Sequence, residues 1–297
     1  MSPPLIVVEN FRAMFYAPFY LAQTTGAYTA EGVVIDLQAS PSPTDSSRRI
    51  AEGSADVMWG GPLRVLMDHD ADRASDVRCF HAVVCRDPFF IIGRTPAPAF
   101  TLADLATLRF GTVSEVPTPW ICLEQDLRTA GLDPASLNRR TDGTMSENAD
   151  ALRHGTLDAV QVFQPYAEQL ISDGTGHTWY AAADRGPTAY TTLVARRPVL
   201  DGRRAELLGM SRAVAKTLKW MAATPSHEIT PHLREHFPDL PPTLLAACID
   251  RYEALKLWDD DPALLRAGFD WLRSAMLASG TIRHGAPYEA CVDQSLI

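Results

Sequence analysis

The sequence predicts an α/β protein built from two similar lobes, and three of its features indicate this fold class. Short apolar strands alternate with amphipathic helices from Leu5 to Ala195. The motif Gly-[Ser/Thr]-x-Asp, followed by an apolar strand and then by proline, occurs at Gly53–Asp56 and again at Gly155–Asp158. The remaining chain has helical periodicity only. Two motifs in equivalent places of two α/β runs favour two lobes of similar construction.

The first run of elements has the order βαβαβαββ. The predicted strands are Leu5–Val8, Val33–Leu37, Ala55–Trp59, Val77–Cys85 and Pro88–Arg94, with helices at Phe15–Thr25, Ser46–Glu52 and Pro62–Asp68. Apolar and β-branched residues predict the strands, and Gly26 ends the first helix. Pro62 is suited to a first helical turn, where its missing N–H costs nothing. Because helices connect the early strands, we expect these strands to pair in parallel.

The pattern restarts after the connector Thr95–Pro98. The predicted strands are Arg109–Val113, an edge strand at Leu137–Asp142, Gly155–Pro165, Thr178–Ala182 and Tyr190–Ala195. The predicted helices are a short capped one at Thr101–Leu105, then Pro119–Thr129, Ser146–Arg153 and Tyr166–Asp173. Thr118 is a suitable N-cap for the helix that Pro119 begins. The strand at Tyr190 is expected to return the chain to the first lobe.

Helices dominate the C-terminal part of the chain. They are predicted at Asp201–Ala223, His227–His236, Pro242–Ala254 and Pro262–Leu277, and an irregular tail follows at Gly280–Ile297. We expect these helices to pack on the first lobe. Lobe 1 is therefore predicted to contain residues 1–94 and 191–297, and lobe 2 residues 95–190, with a ligand cleft between them.

Composition excludes several classes of function. The net charge is −9 and no stretch is rich in Lys or Arg, so no nucleic-acid partner is expected. No apolar run approaches the ~20 residues that span a bilayer, which predicts no membrane insertion. The 5 cysteines are scattered and form no CxxC pair, so we expect neither disulfides nor a metal site. No cofactor is predicted, and we expect a monomer or a weak dimer.

Two further features are less informative. The N-terminus concerns the location of the protein, and a pair of histidines concerns metal binding. Met1–Pro4 has no basic n-region, which predicts a cytoplasmic protein as the sequence stands; the alternative is a periplasmic protein whose leader was trimmed. His232 and His236 have the i, i+4 spacing that can bind zinc. They lack the HExxH pattern, so we expect them to lie on a surface helix face.

Three segments resemble a known family of substrate-binding proteins. Ala17–Gln23 with Gly26, Glu31–Val33 and Ala51–Val57 look like the thiamine-precursor, nitrate, sulfonate and taurine substrate-binding family. The resemblance implies a two-lobed, type II periplasmic-binding-protein fold with a helical C-terminal segment. It also implies a receptor that closes by hinge motion and delivers its ligand to the permease of an ABC importer. The family includes enzymes, but no cysteine precedes Cys79, so the first helix offers no thiol nucleophile.

The fold implied by this resemblance places ligand contacts at strand ends and helix N-termini. From the first lobe, the candidates are Asn10, Arg12, Phe15, Tyr16, Trp59, Gly60 and Gly61. From the second lobe they are Glu115, Thr118, Trp120, Gln161, Phe163 and Gln164, with Tyr190 on the hinge side. Aromatic faces with amide and carboxylate edges suit a planar polar ring, such as a pyrimidine or thiamine precursor, better than a naked anion.

Each candidate also has a structural interpretation. Trp59 is either a stacking platform in the cleft or plain core at a strand end. Among the helical stripe of Phe15, Tyr16 and Phe19, we expect one ring to face the ligand. Arg12 is predicted to contact the ligand, to be solvated, or to pair with Glu9.

The second-lobe candidates divide in the same way. Glu115 either contacts the ligand or caps the helix opening at Pro119. Gln161 and Gln164 lie in a strongly apolar strand, so each needs a hydrogen-bond partner.

The sequence supports a small-molecule-binding protein without chemistry of its own as the leading hypothesis. No nucleophile–base pair is found, and no catalytic residue is predicted. The alternative is a cytoplasmic enzyme on the same scaffold, acting on a heterocyclic or aromatic substrate with Glu115 and His81 as acid–base groups. His81 lies in mid-strand and is also predicted as an ordinary buried histidine with a partner.

Overall fold

A computed structural model describes residues 3–297, and its chain divides into two compact units. Unit 2 is Asp87–Gly186, and unit 1 comprises the residues before Asp87 together with Pro187–Ile297. The predicted boundaries at residues 94 and 190 are therefore displaced. The strand Phe90–Gly93, which we expected to belong to the first lobe, lies in unit 2, where both of its neighbours are strands of that unit.

The described residues form ten strands in two five-stranded sheets. The strands are β1 (Leu5–Glu9), β2 (Ile35–Ala39), β3 (Val57–Gly60), β4 (Val77–Val84), β5 (Phe90–Gly93), β6 (Phe110–Gly111), β7 (Arg139–Arg140), β8 (Ala159–Val162), β9 (His177–Ala181) and β10 (Thr191–Arg196). Unit 1 holds the sheet β2-β1-β3-β10-β4, and unit 2 holds β7-β6-β8-β5-β9.

Helices surround both sheets. In chain order they are α1 (Ala17–Thr24), α2 (Ala27–Ala30), α3 (Pro43–Glu52), α4 (Pro62–Ala71), α5 (Thr118–Thr129), α6 (Met145–Arg153), α7 (Tyr166–Ser172), α8 (Arg197–Gly202), α9 (Arg204–Ala223), α10 (Ser226–Ile229), α11 (Pro242–Ala254), α12 (Arg266–Ala278) and α13 (Tyr288–Cys291). Short 3-10 helices lie at Met14–Tyr16, Leu102–Thr107, Pro134–Ser136, Ala182–Arg185 and Thr230–Leu233. In the part of the chain described here, no helix has the length and apolar character needed to cross a membrane.

The two sheets have the same arrangement of directions. In unit 1, β1 pairs in parallel with β2 and β3, whereas β10 runs antiparallel to β3 and β4. In unit 2, β6 pairs in parallel with β7 and β8, and β5 runs antiparallel to β8 and β9. The expectation of parallel pairing throughout the first run is wrong for β4 and β5. β10 is the first strand after the chain re-enters unit 1 at Pro187, and β5 is the first strand after the chain enters unit 2 at Asp87. Each of these two strands pairs with a neighbouring strand on both sides.

The repeated motif has the same local structure in both units. Gly53 and Gly155 end helices α3 and α6 with positive φ angles of 75° and 71°, a conformation that glycine adopts without a Cβ penalty. The Asp56 carboxylate accepts a hydrogen bond from the Ile6 backbone N–H at 2.8 Å, and the Asp56 N–H donates to the Ile6 carbonyl at 2.9 Å.

Asp158 repeats this pairing with Arg109. Its carboxylate accepts from the Arg109 backbone N–H at 2.9 Å, and its own N–H donates to the Arg109 carbonyl at 2.9 Å. In each unit, the aspartate thus fixes the register between its strand and the neighbouring parallel strand. The sequence prediction of two similarly built α/β runs is based on this motif, and the motif has the same local structure in both units.

A buried ion cluster connects the first and last parts of unit 2. Arg185 bonds the Asp87 carboxylate at 3.0 Å and, through Nε, the Asp126 carboxylate at 2.7 Å. The Tyr180 hydroxyl donates to Asp126 at 2.9 Å. Burial raises the pKa of Asp87, and the Arg185 charge opposes that shift. This cluster holds the two ends of the unit together with paired charges, whereas an unpaired buried charge would be costly.

Two predicted helices and the tail predicted to be irregular differ from the structure. The predicted helix His227–His236 is two short pieces, α10 and the 3-10 turn Thr230–Leu233, because Pro231 cannot continue the α-helical hydrogen bonding. The helix predicted to start at Pro262 begins at Arg266. The tail Gly280–Ile297 contains the short helix α13, so it is not wholly irregular.

Candidate functional site

Four of the candidate residues in unit 1 meet at the ends of three strands. Asn10 follows β1, Gly60 and Gly61 end β3, and Tyr190 precedes β10. A Cβ atom at Gly60 would lie 2.8 Å from Asn10 Nδ2, and one at Gly61 would lie 3.2 Å from the Tyr190 carbonyl oxygen. A larger residue at Gly60 would displace the Asn10 amide, which lies directly against the Gly60 backbone.

Aromatic rings surround this point. The Phe15 ring centroid lies 4.5 Å from that of Tyr16 and 6.0 Å from that of Tyr190. Burial raises the pKa of Tyr16, and hydrogen bonds from Asn10 and Thr191 oppose the shift. Among the described residues, the buried Oδ1 atom of Asn10 has no hydrogen-bond partner. The group therefore contains an unused amide acceptor beside aromatic faces.

Trp59 lies inside unit 1 and has 0% of its surface exposed. Its ring stacks on Phe19, with centroids 4.6 Å apart and an interplanar angle of 4°, and Tyr20 contacts it edge-on at 5.8 Å. The stacking partner of Trp59 is thus a side chain of the protein itself. Of the two interpretations that the sequence left open, the core position describes Trp59 in this structure.

Arg12 is held by internal partners. Its guanidinium pairs with the Glu9 carboxylate at 2.7 Å, donates to the His236 carbonyl at 3.2 Å and lies 5.0 Å from the centroid of Tyr20. The side chain is 40% exposed, whereas Glu9 is buried. The predicted pairing with Glu9 is therefore observed, and this pairing compensates the buried carboxylate.

The glutamines of unit 2 have partners within the same unit. Gln161 donates from Nε2 to the Pro119 carbonyl at 2.9 Å, and its Oε1 atom is buried without a partner among the described residues. The Gln164 side-chain oxygen Oε1 accepts from the Glu168 backbone N–H at 2.9 Å. Phe163 packs edge-on against Phe89, with centroids 5.2 Å apart. These three candidates are buried, and of their amide groups the Gln161 oxygen is the one without a partner.

The predictions for Glu115 and Thr118 need correction. Glu115 accepts from the backbone N–H of Met145 at 3.0 Å, so it caps the start of α6 rather than the helix that contains Pro119. Helix α5 begins at Thr118 itself, and Pro117 occupies the N-cap position without a side-chain bond. The Thr118 hydroxyl therefore does not cap this helix.

Trp120 belongs to the packing of unit 2. It lies against the buried cluster that includes Leu105 and Phe110, and the Arg139 guanidinium covers its ring at 3.6 Å from the centroid. This cation–π contact occupies one face of the indole. Trp120 thus packs within unit 2, in the first turn of the helix that also contains Pro119.

Two residues from the loops between the C-terminal helices contact this region: Trp258 is not among the sequence candidates, and His236, which is predicted to lie on a surface helix face, lies in a turn with its side chain only 9% exposed. His236 stacks on Tyr20 with centroids 4.4 Å apart, and Trp258 donates from Nε1 to the Phe15 carbonyl at 3.0 Å. These contacts join residues more than 200 positions apart, so no local pattern could indicate them. Thr191 could have been suspected from its position directly after Tyr190.

The alternative acid–base group His81 lies in the interior of unit 1. It is 1% exposed, neither ring nitrogen has a partner among the described residues, and burial lowers its pKa to about 4. The expectation that a buried His81 would have a hydrogen-bond partner is wrong. In residues 3–297, no group of three or more His, Cys, Asp or Glu side chains is placed to hold a metal ion.

Comparison with known proteins decides the family. The family model described as "NMT1/THI5 like" matches residues 14–228. The chain belongs to this NMT1/THI5-like family. A Bacillus subtilis (strain 168) protein named "Putative binding protein YtlA" is 23% identical over 292 residues, which cover 98% of this chain and 87% of that protein. The predicted family resemblance is thus confirmed.

Two solved structures show the fold of this family member. The periplasmic aliphatic sulphonate binding protein SsuA from Escherichia coli superposes with a TM-score of 0.78 at 16% identity and covers 97% of both chains. The ligand-binding component of an ABC-type import system from Staphylococcus aureus, with zinc bound, has a TM-score of 0.76 at 14% identity; 99% of this chain and 98% of that chain are covered. The predicted α/β fold of the periplasmic-binding-protein type is confirmed.

Proposed function

We propose that this protein is the solute-binding component of an ABC import system and that residues at the strand ends of unit 1 bind a planar, polar ring. The fold and family membership support a binding role, because the relatives named above are described as binding proteins. The same likeness supports the periplasmic alternative for its location. In this proposal, ligand binding stabilises a closed state by hinge motion, and a permease receives the ligand.

The unused acceptor of Asn10 carries this proposal. A buried amide oxygen without a partner costs free energy, typically about 1–3 kcal/mol, unless a ligand or water bonds it. It lies where two parallel strands end, which is where open α/β sheets bind ligands. Phe15, Tyr16 and Tyr190 supply apolar faces around it. A ring that donates an N–H to Asn10 and packs on these aromatic faces fits this chemistry.

The charges in unit 1 favour a neutral or weakly polar ring over a sulfonate. Arg12 is the cation nearest in sequence to Asn10, and its guanidinium is already committed to Glu9 and the His236 carbonyl. Binding a naked anion requires free donors or an unpaired cation. Asn10 offers an acceptor instead. The pyrimidine-type ligand therefore remains our proposal, and sulfonates are the competing class.

A ligand screen with matched variants tests the proposal. Purified protein is screened by thermal shift against pyrimidines, thiamine precursors, alkanesulfonates and aromatic acids, and hits are measured by calorimetry. We expect a pyrimidine to raise the Tm, and Asn10→Ala to weaken its binding by about 5–150-fold, as loss of a buried hydrogen bond predicts. Gln38→Ala, on the partly exposed strand β2, is the control and should bind as wild type does.

The outcomes separate the alternatives. Binding of alkanesulfonates but not pyrimidines would overturn the ligand class while keeping the binding role. Equal binding by wild type and Asn10→Ala would show that Asn10 does not contact the ligand. Consumption of the bound pyrimidine, detected by chromatography, would support the enzyme alternative over a receptor.

A further inference from the structure

Unit 1 contains a pocket whose lining includes none of the predicted ligand-binding residues. Its volume is about 420 Å³, within the range of small-molecule sites. It is lined by Cys85, Arg86, Pro187, Leu218, Met221, Ala222, Glu253, Lys256, Trp258, Asp259, Asp260 and Leu265. All of these residues belong to unit 1, and Arg86 and Pro187 are the residues at which the chain leaves and re-enters it.

One wall of the pocket is apolar and firmly held. Leu218 and Met221 are buried residues of α9. Trp258 forms an antiparallel bridge with Val84 and donates its indole N–H to the Phe15 carbonyl at 3.0 Å. The neighbouring Leu257 carbonyl accepts from the Cys85 N–H at 2.9 Å. These bonds fix the indole beside the cavity without any ligand, so binding there requires little ordering of the wall.

The polar part of the lining carries an excess of negative charge. Three carboxylates, from Glu253, Asp259 and Asp260, line the pocket together with the two cations Arg86 and Lys256. The buried Oε1 atom of Glu253 has no hydrogen-bond partner among the described residues. Burial raises the pKa of Glu253, and the nearby charge of Asp250 raises it further. A positive group next to this carboxylate would relieve both effects.

We propose that this pocket binds a small organic cation, namely an amine with a compact aromatic or apolar body. Its ammonium group pairs with the Glu253 carboxylate, and its body packs on Trp258, Leu218 and Met221, which line the same pocket. A charge-assisted bond in a partly buried site supplies the orientation, and the apolar wall supplies most of the contact area. The lining shares no residue with the ligand-binding set predicted from the sequence, although Trp258 bonds the carbonyl of Phe15, which belongs to that set.

One matched pair of compounds and one matched pair of variants test this site by calorimetry. Phenethylamine is the probe, and 2-phenylethanol is its uncharged counterpart. We expect wild-type protein to bind phenethylamine with a Kd below about 1 mM and 2-phenylethanol at least about tenfold more weakly. Glu253→Gln should weaken phenethylamine binding by about tenfold or more, whereas Asp239→Asn, an exposed carboxylate outside the pocket, should not change it.

A second pair of variants tests the location of the amine-binding site without removing a charge. Ala222 is an exposed residue of α9 that lines the pocket, and Ala223 is its exposed neighbour outside the lining. Ala222→Trp should abolish phenethylamine binding by filling the cavity, and Ala223→Trp should leave it unchanged. Unchanged binding in Ala222→Trp would overturn the location. No binding by wild type, or equal binding of both probes with a silent Glu253→Gln variant, would overturn the proposal itself.

Discussion

Trp59 and Gln161 occupy equivalent positions in the two sheets, but they serve different purposes. Each is the third residue after the aspartate of the repeated motif, on the strand that pairs in parallel with its neighbour. Leu193 of the antiparallel strand β10 lies opposite Trp59, and Ile91 of β5 lies opposite Gln161. Trp59 stacks on Phe19 in the core, whereas Gln161 bonds the Pro119 carbonyl and leaves its own oxygen unused.

The two motifs agree at their start and differ at their end. The glycine with positive φ and the aspartate that bonds the neighbouring backbone are common to both units. After the aspartate, one strand ends in two glycines and the other in Phe163 and Gln164. The shared part sets strand register, which any sheet of this design needs. The divergent part lies at the strand ends, where ligand contacts form in α/β folds.

The largest change in the free energy of unfolding is expected at the position where the two motifs differ most, which is Trp59 in unit 1 and Gln161 in unit 2. Trp59→Ala is expected to lower the free energy of unfolding by about 3–5 kcal/mol, because it removes a fully buried ring and its stacking contact. Gln161→Ala should cost only about 0.5–1.5 kcal/mol, for one hydrogen bond. Guanidinium unfolding monitored by circular dichroism compares the two. A smaller loss for Trp59→Ala than for Gln161→Ala would contradict the core assignment.

The shared aspartates should respond alike. Asp56→Ala and Asp158→Ala are each expected to cost about 1–3 kcal/mol, because the backbone N–H of Ile6 or Arg109 loses its carboxylate acceptor. Asp142→Ala, in unit 2 with a side chain that is 84% exposed, is the control and should change stability by less than about 0.5 kcal/mol. A large loss from one aspartate and none from the other would show that the motif is not a common device.

The contribution of Asp158 should also depend on pH. Hydrogen bonds from Arg109 lower its pKa below the usual 3.8. A lowered folded-state pKa stabilises the protein above the unfolded pKa, and this stabilisation is lost as the pH falls through the folded value. The difference in stability between wild type and Asp158→Ala should therefore persist at pH 5 and shrink below pH 3.8.

The smallest expected change in stability concerns Asp68, which lies in α4, the helix after β3. The corresponding helix after β8 is α7. Asp68 of α4 is the sixth residue after Pro62, and Ile171 of α7 is the sixth after Pro165. Burial raises the pKa of Asp68 to about 6, and its Oδ2 atom has no partner among the described residues. The folded protein therefore binds a proton between pH 4 and 6 that the unfolded chain lacks. Asp68 lowers stability as the pH rises through this range.

Replacing this carboxylate should stabilise the protein. Asp68→Asn is expected to raise the free energy of unfolding by about 1 kcal/mol at pH 7.5 and to have little effect at pH 4.5, as the linkage requires. Thermal unfolding at both pH values measures this difference. Asp201→Asn, an exposed carboxylate of α8, should be silent at both. Equal effects of Asp68→Asn at the two pH values would contradict the assigned titration.

Local sequence determined the order of most elements along the chain, the repeated motif and the family. The Gly-[Ser/Thr]-x-Asp pattern combines a glycine that tolerates positive φ with an aspartate that accepts backbone hydrogen bonds, so its structure follows from its own residues. The helix start at Pro62 likewise follows from local chemistry, whereas the helix predicted from Ser46 begins at Pro43. Asn10, Gly60 and Gly61 could be selected as candidates from strand ends and the fold that the resemblance implies, and the structure shows that Asn10 lies against Gly60.

Only the tertiary structure decided which partners these residues have. The sequence could not assign β5 to unit 2, because an apolar strand of four residues fits either sheet and only its hydrogen-bonded neighbours fix its place. It could not show that Phe19 covers Trp59, or that His236 and Trp258 reach back to the first helical segment. Side-chain direction depends on packing between elements distant in the chain, which no local pattern records.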